Sequence, residues 1–90
     1  MGINYSNLPE HMQDGMRRYI EHGILPGSFL TAVLANNLMM AVGHADSINL
    51  TRLQNYLRFL YEEAPSSCYG STKTVREWRE SGGLAGQGRL

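Results

Sequence analysis

Two short stretches of the chain carry the residue types that can hold an anion. Residues 25–28 read LPGS and residues 66–73 read SSCYGSTK, and each stands just before a segment with helical spacing. The first amides of a helix lack intrahelical partners and lie at the positive end of its dipole, so such starts favour phosphate. The second stretch adds the hydroxyls of Ser66, Ser67, Ser71 and Thr72, the Lys73 ammonium, and Arg76 one turn further on. Tyr69 offers a ring on which a base can stack. Ser28, Tyr69, Ser71, Thr72, Lys73 and Arg76 are therefore the expected ligand-binding set. Serine and threonine at these positions also cap helices in proteins that bind nothing, so the two roles compete for the same atoms.

Catalysis finds less material. His11, His22 and His44 share no spacing that sets two of them on one helical face beside a carboxylate. Zinc needs three or four converging ligands, and here they are scattered, so no metal site and no cofactor is expected. Cys68 is the single cysteine and has no neighbouring histidine in sequence; it reads as a buried thiol rather than a nucleophile. No Gly-x-Ser-x-Gly or P-loop pattern occurs, no catalytic residue is assigned, and the chain is not expected to be an enzyme.

The elements that must position the binding set are helices. Asn7, Pro9 and Glu10 suit the start of a first helix, with Met12, Met16, Tyr19 and Ile20 on its apolar stripe. Gly23 should stop it, with Ile24 as the hydrophobic lock behind the stop. A second helix should open at Ser28 and run through FLTAVLANNLMMAV to Gly43. It is apolar nearly all round, and such a helix is buried on most faces, at the centre of the fold or against another subunit. Asn36 and Asn37 interrupt it. A third helix should start at Asp46, Ser47 or Asn49 and end at Pro65, with Leu53, Tyr56, Leu57 and Leu60 inward. Ser71 should cap a short fourth helix in which Val75 and Trp78 pack together. The expected architecture is all-α, a compact bundle of three main helices plus the short C-terminal one, in a single domain over residues 1–83. Residues 84–90 are expected to form a flexible tail.

Composition sets the outer bounds. Ninety residues, 42% of them hydrophobic, make one small domain that gains from burial at a subunit interface, so a homo-oligomer is expected. Net charge is zero, split as −2 over residues 1–65 and +2 over residues 66–90. That asymmetry is too slight for a duplex-DNA binder, whose basic face would be plain, and the second helix is too apolar to enter a major groove. No apolar run is long enough to span a bilayer. The first ten residues lack a signal-peptide pattern, though Gly2 and Ser6 fit the loose myristoylation motif. The chain reads as cytoplasmic. Met39 and Met40, with Met12 and Met16, suit either a core or an adaptable binding surface, and Trp78 either an anchor or an exposed contact.

LPEHMQDGMRRYIEHGILPGSFLTAVLANNL, followed by LYEEAPSSCYGS, resembles a group of small uncharacterised proteins of bacteriophages and prophages, over residues 8 to about 78. Members of that group tend to carry two prolines before the Gly-Ser and an acidic residue after the first asparagine; here Leu25 and Asn37 stand there. The resemblance implies a viral protein working in the host bacterial cytoplasm. Two functions follow as expectations. One is counter-defence: an oligomer that sequesters a host nucleotide second messenger, uncleaved, in pockets built from the binding set. The other is a protein-binding inhibitor or adaptor that docks a helix face on a host defence protein or a phage protein. The first requires Tyr69, Ser71, Lys73 and Arg76 to converge on a cleft.

Overall fold

The computed structural model describes residues 2–90 and is all-α. Among the described residues the chain forms seven helical segments rather than four: α1 (Glu10–His22), α2 (Ser28–Leu34), α3 (Leu38–His44), α4 (Ser47–Thr51), α5 (Leu53–Glu62), α6 (Thr72–Ser81) and the single turn α7 (Gly83–Gly86). A 3-10 turn, Ser66–Cys68, leads into α6. One core joins every element except α4, whose one buried residue is the polar Asn49, and it is built on Met16, Tyr19, Ile20, Leu30, Leu34, Tyr56, Phe59 and Trp78.

Helix α1 follows its sequence pattern. Met16, Tyr19 and Ile20 are buried, and Gly23 ends the helix in the left-handed region at φ 71°. Its start differs from expectation. Asn7 caps nothing, because its side-chain oxygen accepts instead from the Asn55 amide at 3.0 Å and so ties the N-terminal turn to α5. The lock behind Gly23 also fails to close: the Ile24 amide donates to the Arg18 carbonyl, but its side chain is exposed.

The long second helix is broken at Asn36–Asn37. Asn36 is the one residue other than glycine with positive φ among the described residues, at 60°. Its amide donates to the Val33 carbonyl, and the Asn37 amide reaches back to Ala32 at 2.8 Å. This is the Schellman pattern, with asparagine where glycine is usual. The Asn37 side chain then accepts from the Met40 amide at 3.2 Å and caps α3. The two asparagines therefore end one helix and begin the next. Burial divides at the break. Phe29, Leu30, Ala32, Val33 and Leu34 of α2 are in the core, whereas of α3 only Ala41 is.

The third expected helix is broken too, at Arg52. Asp46 caps α4 by accepting from the Asn49 amide at 2.6 Å, and its other oxygen faces His11 at 3.4 Å. Thr51 donates its hydroxyl to the Ile48 carbonyl, a local bond that competes with helix continuation. The new phase turns Phe59 inward beside Tyr56 and Leu60 and leaves Leu57, expected inside, half exposed. Asn49 is buried and accepts from the Tyr56 hydroxyl at 2.5 Å.

Tyr19 joins three elements. Its hydroxyl donates to the Cys68 carbonyl at 2.7 Å, and its own carbonyl accepts from the Trp78 indole at 3.0 Å. Ser71 caps α6 through the Thr74 amide, and Val75 and Trp78 pack inward as the spacing predicts. The boundary set at residue 83 falls inside packed structure, because Leu84 belongs to the core and α7 lies against α1. Gly82 and Gly83 turn the chain with φ of 79° and 68°. A Cβ on Gly83 would stand 2.6 Å from the Gly23 nitrogen and 2.7 Å from the Ile20 carbonyl oxygen.

Gly83→Ala should therefore lower stability by about 2–4 kcal/mol, since both the positive φ and backbone atoms oppose it. Gly43→Ala, in α3 with open space around it, should instead raise stability by about 0.5–1 kcal/mol. Urea denaturation of the two variants checks both; equal effects would contradict the packing of α7 on α1.

Candidate functional site

A broad concavity lies where the start of α2, the length of α3 and the start of α6 meet. It holds about 370 Å³ and is lined by Leu25, Pro26, Ser28, Thr31, Ala32, Ala35, Asn37, Met40, His44 and Thr72. The break at Asn36–Asn37 makes it, by letting α3 fold back along α2. Met40 and His44, one turn apart, form its α3 wall.

Ser28 and Thr72, one from each anion-binding stretch, meet in this cleft. The other four residues of the expected set do not join them. Tyr69 lines a separate hollow of about 240 Å³ with Val33, Asn36, Leu57, Leu60, Tyr61 and Gly70. Ser71 is committed as a cap, with its hydroxyl on the Thr74 amide at 3.1 Å and within 2.9 Å of the Thr74 hydroxyl. Lys73 stands 3.9 Å from Glu77 on the open face of α6, and Arg76 is exposed without lining the cleft. Ser28 does not cap α2 either. Gly27 occupies the cap position, and the Thr31 hydroxyl donates to the Pro26 carbonyl at 3.1 Å. The convergence that a phosphate-and-base pocket requires is thus not met within one chain.

The cleft is mostly apolar, with the hydroxyls of Ser28, Thr31 and Thr72, the Asn37 amide and the His44 imidazole around it. No lysine, arginine, aspartate or glutamate lines it. Such a lining suits a neutral, partly apolar surface better than a phosphate, for which one or two cations would be placed in reach. Among the described residues no group of three His, Cys, Asp or Glu side chains is arranged to hold a metal ion. No helix among them is long and apolar enough to cross a membrane.

Of the two placements the sequence allows for the α3 segment, the centre of the fold or a surface for another subunit or partner, the first does not occur. Leu38, Met39, Met40 and Val42 are all exposed, Met39 to 81%. The signal was present in the asparagine pair, which suits a left-handed C-terminal turn followed by an N-cap. No family model, no curated protein and no solved structure matches the chain.

Cys68 lies fully inside the core, and burial pushes its thiol up from 9.0 to about 12. Burial likewise raises the hydroxyls of Tyr5, Tyr19 and Tyr56 well above their ordinary value of 10.0. The folded chain holds these protons more tightly than the unfolded one. The Cys68 contribution to stability is then complete below about pH 9 and is lost as pH rises from there through about 12, and the tyrosine contributions begin to be lost only above about pH 10. Urea midpoints should fall steadily above pH 9. Alkylation of Cys68 by iodoacetamide at pH 8 should be slow in buffer and fast in denaturant; rapid labelling of the folded protein would contradict the burial.

Proposed function

We propose that the chain is a non-enzymatic binding protein that docks on another protein through the exposed apolar surface of α3 and the cleft beside it. One observation carries this reading: the most apolar segment of the sequence is held outward, with Leu38, Met39, Met40 and Val42 in solvent and only Ala41 inside. Contiguous apolar surface on a small chain marks an interaction site, and methionines adapt their shape to a partner at little cost. Residues 27–45 contain no aspartate, glutamate, lysine or arginine, so docking there desolvates no carboxylate, ammonium or guanidinium of that segment. The resemblance to phage proteins supplies the setting, in which the partner is a host defence protein or a phage protein in the bacterial cytoplasm.

A second reading, sequestration of a nucleotide signal in an oligomer, keeps one supporting observation. Ser28 and Thr72 share the cleft, and Lys73 follows next along α6. The missing cations would then have to come from a neighbouring copy.

Affinity purification from infected cells, read by quantitative mass spectrometry, tests the first reading. The wild type should recover a stoichiometric protein that Met39→Asp/Met40→Asp loses by tenfold or more, while Lys73→Ala/Arg76→Ala retains it. Recovery that depends on Lys73 and Arg76 but not on the methionines, together with intact nucleotide mass on the native protein, would overturn it in favour of the second.

A further inference from the structure

A separate surface, on the side of α3 away from the cleft, carries its own pattern. Leu38 and Leu57 line one small hollow with Leu53 and Ala41, and Leu57 lines the next with Leu60, Tyr61 and Tyr69. The two hollows share Val33, Asn36 and Leu57, so they form one apolar groove running from the start of α3 along α5. Leu38 is 55% exposed and Tyr61 85%. Since Tyr56, Phe59 and Leu60 point inward, the outward stripe of α5 is Gln54, Leu57, Arg58, Tyr61 and Glu62.

That stripe is complementary to itself. Leu57 and Tyr61 are one turn apart, and so are Arg58 and Glu62. Two copies of α5 laid antiparallel across a twofold axis set Leu57 against Tyr61 of the partner, and Arg58 against Glu62 of the partner, each contact made twice. Neither Arg58 nor Glu62 takes part in any of the ion pairs formed among the described residues. Leu38, Leu57 and Tyr61 are each half exposed or more, and Gln54, Arg58 and Glu62 flank them in solvent.

We propose that a second copy of this chain covers the groove, through antiparallel packing of α5 on α5 with reciprocal Arg58–Glu62 pairs. Of the exposed apolar residues, the proposal shares only Leu38 with the docking surface described above, and it does not rest on Met39, Met40, Val42 or the cleft. It leaves the rest of that surface open in each copy, so the assembled protein presents two.

Charge exchange across the axis tests it on the intact chain. Sedimentation equilibrium of the wild type should give twice the 10.1 kDa chain mass, with a concentration-dependent return to the monomer on dilution. Arg58→Glu alone and Glu62→Arg alone each place like charges opposite one another, and each should weaken the dimer about tenfold. The double variant Arg58→Glu/Glu62→Arg should restore affinity to within about threefold of the wild type. All three change exposed side chains, and circular dichroism should show the same helix content in each. A wild type that stays monomeric at all concentrations, or a dimer that the single variants leave unchanged, would overturn the proposal. So would a double variant no tighter than the singles.

Discussion

At Asn36 the backbone enters the left-handed region, and the following residue caps a new helix with its own side chain. Most of what is distinctive in this molecule depends on that turn. An unbroken helix from Ser28 to Val42 would carry apolar side chains on every face and would have to be buried on every face. The turn divides it instead into α2, which the core absorbs, and α3, which folds back across the surface with only Ala41 inside. The cleft exists because the two segments lie side by side. The groove along α5 exists because Leu38 begins α3 next to Leu57. The carbonyl of Leu34 is satisfied by the Gly70 amide at 2.8 Å, so the loop before α6 fastens the end of α2 in place.

A rigid base is needed for a surface of this kind, since apolar side chains left in water tend to draw the chain around them. Tyr19 supplies much of it. Its ring sits in the core, its hydroxyl holds the turn at Cys68, and its carbonyl holds the Trp78 indole, so α1, the 3-10 turn and α6 cannot shift independently. Tyr56 does the same for α5 and α4 through Asn49, and packs edge-on against Phe29 of α2 with ring centroids 5.0 Å apart. Every buried polar side-chain atom among the described residues has a partner. The core is thereby specified by hydrogen bonds as well as by volume, which matters in a chain this short.

The sequence is readable where a residue type has one dominant use. Gly23 as a helix stop, Ser71 as a cap, and Val75 with Trp78 as an inward pair all follow from local chemistry, and the helical class follows from periodicity. It is less readable where one residue serves two masters. Asn36 and Asn37 read as an interruption within a helix, although the same types suit a stop and a start. Leu57 looks as apolar as Leu60, and only the phase of α5 after the break at Arg52 decides that it faces outward. The expected binding residues fared unevenly for a related reason. Capping and anion binding ask for the same side chains, and at Ser71 capping took the hydroxyl. Ser28 and Thr72 meet because of tertiary packing of α2 against α6, on which sequence spacing is silent.

The central claim is that the break at Asn36–Asn37 holds the α3 methionines in solvent while Met16 of α1 stays inside and Met12 is half-buried. Methyl resonances of 13C-labelled methionine, recorded with a soluble paramagnetic gadolinium chelate, test this most directly. Met39 and Met40 should broaden strongly at low chelate concentration, Met12 less, and the fully buried Met16 least. Protection of Met39 equal to that of Met16 would mean that α3 is buried, and the account of both surfaces would fail with it.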